Sequence, residues 1–129
     1  MMKRLVLLLA VLVFAATPGT PAYADSTSIT IAKHATFISS FQIDVEVSVH
    51  CTGGSFAFIQ VLVTQPHAGG GYSFGNGFTN ALCDGQSKVA ITVYDFGAPW
   101  TLGDATAIAE IFTTTGPAAD TRDITIVFP

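Results

Sequence analysis

Along much of this chain hydrophobic and polar residues alternate one for one. Ile43, Val45, Val47 and Val49 take turns with Asp44, Glu46, Ser48 and His50. In an extended strand successive side chains point to opposite faces, so this run predicts a strand with one face buried and one in water. The same period appears in Val89, Ile91 and Val93 against Ala90, Thr92 and Tyr94, and briefly in Ile29 and Ile31 around Thr30. Phe56 to Thr64 is apolar on both faces, as a central strand of a layered fold can be. There Ile59, Val61 and Val63 are assigned inward, and Phe56, Phe58 and Leu62 to the other side. Ala105 to Phe112 reads as a strand of small residues whose inward face the pattern does not choose. Ile124, Ile126 and Phe128 form the last strand.

Turn signals separate these runs. They are Thr52-Gly53-Gly54, Pro66-His67-Ala68-Gly69-Gly70-Gly71, Asp84-Gly85, Gly97-Ala98-Pro99 and Gly116-Pro117. Helix is disfavoured throughout, because β-branched residues and glycine abound and no i, i+3, i+4 stripe is sustained. About seven strands at turn-spaced intervals predict an all-β domain, a single immunoglobulin-like β-sandwich of antiparallel strands. In antibody domains a tryptophan lies between two core cysteines. Here Trp100 follows Cys83, so an antibody-type domain is not expected.

The N-terminus carries a different pattern. Lys3 and Arg4 precede an unbroken apolar run from Leu5 to Ala16, then a breaker stretch Thr17 to Pro21, then Ala22-Tyr23-Ala24. A positive region, a short apolar region and a small-x-small site in that order predict a secretory signal peptide, residues 1–24, cut between Ala24 and Asp25. The apolar run falls short of the ~20 residues that span a bilayer. No cysteine stands at the cut to take a lipid, and the C-terminal Ile124 to Pro129 is a strand rather than an anchor. The expectation is one domain, 25–129, released outside the cell or into a periplasm.

Cleavage changes the charge. The remaining chain keeps Lys33, Lys88 and Arg122 against nine acidic residues, a formal charge of −6 where the whole chain has −4. Such a surface repels nucleic acid and anionic lipid, so neither is an expected partner. Cys51 and Cys83 both lie in the exported part, and an isolated pair in an oxidising compartment more often forms a disulfide than stays reduced. No Cys-x-x-Cys motif points to redox or metal chemistry instead.

A resemblance can be stated on these residues. Val47-Ser48-Val49-His50-Cys51 with Gly53-Gly54, then Val61-Leu62-Val63-Thr64-Gln65, Cys83-Asp84-Gly85 and Gly103-Asp104-Ala105 resemble small, secreted, immunoglobulin-like domains of bacteria whose function is uncharacterised. The resemblance implies a Cys51–Cys83 disulfide and brings no catalytic residues with it. A fold alone does not supply a function.

Chemistry-bearing residues are sparse. No Gly-x-Ser-x-Gly appears, and His34, His50 and His67 each lack an obvious partner, so all three read as solvated. A blue-copper site wants two His, one Cys and usually a Met, yet both methionines leave with the signal. Zinc lacks a His or Cys cluster. Calcium needs only oxygen ligands, but Asp84, Asp95 and Asp104 are not gathered in one run and read as turn aspartates. Asp44 and Glu46 have a spacing suited to glycosidase carboxylates, on a face too open to desolvate an acid. The expectation is therefore no enzyme, no cofactor and no metal.

Aromatic residues in unusual places remain. Tyr72, Phe74 and Phe78 alternate with glycine, and Phe96 and Trp100 flank another break. Exposed rings on a β-sandwich form platforms for sugars or protein surfaces, and glycine between them admits close approach by a ligand. The alternative is that the rings fill the core of a small domain. Tyr72, Phe74, Phe78 and Trp100 are thus the candidate ligand-binding residues of a secreted, monomeric, non-catalytic module for a glycan or protein. A small effector or enzyme inhibitor is the second expectation, and a structural or adhesive domain the third.

Overall fold

The computed structural model describes residues 27–129, so the expected signal peptide and its cleavage site lie outside the described residues. Each period-two run becomes a strand. The strands are β1 (Ser28–Ile31), β2 (His34–Ser39), β3 (Gln42–Cys51), β4 (Phe56–Pro66), β5 (Tyr72–Leu82), β6 (Gly85–Asp95), β7 (Gly103–Thr113) and β8 (Gly116–Val127). The described residues contain no helix, as the lack of a helical stripe predicts.

The strands hydrogen-bond in the order β1-β3-β2-β8-β7-β4-β5-β6, and β6 pairs again with β3. That last pairing closes seven strands into a barrel, with β1 added on the upper half of the same β3 edge that β2 uses lower down. The all-β expectation holds. The expectation of about seven strands in two separate sheets is revised, because eight strands run through one continuous ladder. The two halves of that ladder meet through narrow junctions. β2 bonds three residues of β3 around a bulge and runs parallel to β8 over His34 to Thr36, while β5 bonds β6 only at Gly75↔Asp95 and Asn76↔Tyr94.

The core lies between these halves. Ile43, Val45, Val47 and Val49 of β3, with Ile91 and Val93 of β6, face Ile59, Val61 and Val63 of β4 and Ile124 and Ile126 of β8. The inward assignments for β3 and β4 are those the alternation predicts. Burying each such side chain contributes about 1.5–3 kcal/mol, so apolar contact across the layers dominates over any polar bond. On β7 the inward residues are Ala105, Ala107, Ala109 and Ile111. Phe128, expected to close the sheet, stays largely exposed beyond β8 and meets Phe37 edge-on at 5.8 Å.

The edge strand β1 is held by side chains as well as by its ladder. Its Ile31 amide donates to the Asp120 carboxylate at 2.8 Å, and the Arg122 guanidinium donates to the Ile31 carbonyl at 2.7 Å. Asp120 and Arg122 stand two apart on β8 and so reach the same side. Cys51, at the end of β3, is bonded to Cys83 in the β5–β6 turn, with Cα atoms 4.9 Å apart. The expected disulfide is present, and disulfides belong to oxidising, non-cytoplasmic settings. No helix among the described residues is long and apolar enough to cross a membrane.

The glycines of β5 explain its sequence. Gly75 and Gly77 are buried and point inward, where a Cβ would overlap the backbone carbonyls of Tyr94 and Thr92 on β6. Close backbone approach is therefore an internal requirement of the β5–β6 crossing. Gly77→Ala should destabilise the domain by about 1–3 kcal/mol, read as a lower urea midpoint. An unchanged midpoint would mean that the crossing yields freely.

Candidate functional site

Because inward positions on β5 are glycine and serine, its large side chains all fall on the outer face. Tyr72 is 63 % exposed, Phe74 47 % and Phe78 65 %, whereas Trp100 is 1 % exposed. Three of the four candidate ring residues thus share one strand, and Trp100 lies apart from them in the core. The three stand on strand β5 and not on protruding loops.

Two ring clusters result. Phe74 lies 6.3 Å from Phe96, near the end where β5 and β6 cross. Beyond Gly77, which still abuts Thr92, β5 stays with β4 and β6 stays with β3, with no ladder between them until the turn at Cys83 rejoins them. The fork between them holds an open cleft of about 440 Å³. Phe78, Tyr94 and Phe96 supply its rings; Asn76, Thr79 and Thr92 supply amide and hydroxyl groups. Thr92 donates to the Asp44 carboxylate at 3.1 Å, which fixes the threonine rotamer beside the cleft.

The second cluster spreads over the outer face of β5, β4 and β7. Register places Phe58 opposite Asn80 on one side and Phe112 on the other, and Leu62 between Asn76 and Ile108. Phe58 stacks at a tilt on Phe78 at 5.8 Å and on Phe112 at 6.3 Å. The outward set of β4 follows from its alternation. Phe112 and Ile108 could not be assigned to it, because β7 carries alanine inward and a mixture of threonine, isoleucine, glutamate and phenylalanine outward. The repeat Ala105-x-Ala107-x-Ala109 is the one signal that would have placed them.

Behind this surface two buried polar side chains fix the loops. Gln65 accepts from the Thr101 amide at 3.0 Å and donates to the Thr101 carbonyl at 2.8 Å. Ser73, fully buried, gives its hydroxyl proton to the Pro99 carbonyl at 2.8 Å and lies 2.5 Å from Nε2 of His67. With that proton engaged, His67 is the donor to Ser73, so the pair ties two loops together. His67 is accordingly half-buried and partnered, contrary to the solvated reading. His50 is half-buried and His34 exposed. Satisfied this way, Gln65 and Ser73 seat the segment that carries Trp100 under β5.

Among the described residues no three His, Cys, Asp or Glu side chains gather as a metal site. Asp95 accepts from the Gly97 amide at 2.9 Å and so serves its own turn. Asp84 and Asp104 are exposed, and Asp44 is half-buried beside Thr92. No known family model matches the chain, and none of the curated proteins is significantly similar to it.

Proposed function

We propose that the domain is a secreted, non-catalytic binding module that takes an extracellular glycan at the β5–β6 fork. The observation that carries this reading is the cleft itself, where the rings of Phe78, Tyr94 and Phe96 stand beside Asn76, Thr79 and Thr92. A sugar has an apolar C–H face that stacks on a ring and a hydroxyl rim that needs hydrogen bonds. The fork offers both within one opening. Phe78 and Tyr94 are seated on strands and Phe96 directly follows one, which favours this over an inhibitor that inserts a projecting loop into an enzyme cleft.

The strand order supports an immunoglobulin-like ancestry. β1, β3 and β6 pair as A, B and E do in that fold, and β4, β7 and β8 as C, F and G do. The disulfide, together with the basic and apolar N-terminal pattern, supports export.

Binding to a panel of soluble oligosaccharides (glucan, chitin and peptidoglycan fragments) tests the reading. Tyr94→Ala and Phe96→Ala should each weaken a detected complex about tenfold, corresponding to ~1.4 kcal/mol, with unfolding midpoints unchanged since both rings are exposed. Affinity that stays the same in both variants, or a panel without a single hit, overturns it.

A further inference from the structure

We infer that the outer face of β5, β4 and β7 is the interface of a homodimer, with a second copy of this chain as its occupant. Six side chains form its centre: Phe56, Phe58 and Leu62 of β4, Phe78 of β5, and Ile108 and Phe112 of β7. All are exposed, Phe56 to 70 %. Together they present on the order of 600 Å² of apolar surface, at the upper end of the patches that monomeric proteins leave in water.

Three observations choose a second copy. Size is the first. With the interleaved Gln60, Asn76 and Asn80, the face approaches the ~800 Å² per partner that a stable interface buries, more than a small ligand covers.

Charge is the second. The chain has nine acidic residues, yet between Phe56 and Ile108 this face carries Glu110 alone. Two strongly acidic molecules repel wherever their charged surfaces meet. Here they can join on the one broad area where almost no like charge opposes like. Glu110 stands on β7 between Ile108 and Phe112, with Gln60 on one side and the small Ala119 on the other, at the β7 margin of the face, where a partner's amide groups can reach its carboxylate.

Shape is the third. The face is one continuous sheet surface, β4 being paired with β5 along its whole length and with β7 from Phe58 to Thr64, and sheet faces stack about 10 Å apart with their side chains interdigitated. By register the rings are staggered, Phe58 and Phe112 in one row beside Asn80, and Phe78 in the next beside Gln60. A copy turned about a two-fold axis can set its rings into the lower positions at Asn80 and Gln60. Such an isologous contact closes on itself and stops at two. This departs from the monomer that the sequence leads one to expect.

Sedimentation velocity of the purified, disulfide-intact protein decides the question. A dimer that dissociates on dilution is expected, with Phe56→Glu and Phe112→Glu monomeric at concentrations around 100 µM and unfolding as the parent does. A monomeric parent at that concentration overturns the proposal. So does a dimer that both variants retain, or an open-ended series of oligomers. Hydroxyl-radical footprinting of the parent gives an independent reading, since Phe56 and Phe112 should be protected as concentration rises and Tyr72 should not. The dimer does not rest on the glycan reading. Tyr94→Ala and Phe96→Ala, which lie outside this face, should leave sedimentation unchanged, so failure of the sugar site and failure of the dimer are read separately.

Discussion

Trp100→Ala is expected to destabilise the domain by about 3–5 kcal/mol, a large fraction of what holds a domain of this size together. The indole is the largest fully buried side chain. It stands under the β5–β6 crossing, where its ring edge approaches Gly75, and its backbone amide donates to the Ser40 carbonyl at 2.8 Å. Removing it empties space that neighbours on three elements cannot collapse to fill. Trp100→Phe separates volume from polarity. The indole Nε1–H is buried without a hydrogen-bond partner among the described residues, and leaving such a donor dry costs ~1–3 kcal/mol. Phenylalanine removes that donor while keeping most of the ring, so its loss of stability should be far smaller than that of alanine. Equal losses would mean that the N–H finds a partner in solution. Loss of binding in Trp100→Ala, with a lowered melting temperature, would report the fold and not a ligand contact.

That distinction bears on what the sequence could and could not convey. Strand faces were legible where one face is uniformly branched and the other polar. In β3, Ile43 to Val49 leaves no alternative register, because a slip by one residue would bury Asp44 and Glu46. β7 was opaque, since alanine is cheap to bury and equally cheap to expose. Closure was opaque for another reason. Whether β6 returns to β3 depends on pairings between distant segments, and local period carries no trace of them.

The candidate site divides along the same line. Tyr72, Phe74 and Phe78 stand out in the sequence because aromatics so close to glycines are unusual, and the fold accounts for the glycines. Gly75 and Gly77 are small so that β6 can cross, and the rings flanking them, Phe74 and Phe78, are outward by alternation. Trp100 shares their chemistry without sharing their place. Its position is decided by the bonds of Gln65 and Ser73 to residues 99–104, which connect segments far apart in sequence. Phe58 and Phe112 come together only through register, across the β4–β7 ladder.

Reduction of the Cys51–Cys83 disulfide is the second large effect, an expected loss of about 3–4 kcal/mol from the loop entropy that the link removes. With a sequence separation of 32 residues, the urea midpoint of the reduced or Cys51→Ala/Cys83→Ala protein should fall by about 2 M. Alanine is the right replacement, because both sulfur sites are buried among apolar side chains and serine would add a dry hydroxyl. The location makes the effect local as well as global. Along the β5–β6 side the halves of the barrel are joined by two residue pairs at one end, and at the other by the β5–β6 turn, the Cys83 backbone bonds to Gly54 and Ser55, and this disulfide. Cutting the disulfide loosens that end, while β4 and β5 stay paired over their whole length. Amide hydrogen exchange should therefore quicken first at β6 residues near Gly85 and at the end of β3 near Cys51. The β4–β7 ladder should exchange only with global unfolding. Uniform acceleration would mean that the link acts through the unfolded chain alone, and an unchanged midpoint would mean that the ladder already closes the seam without it.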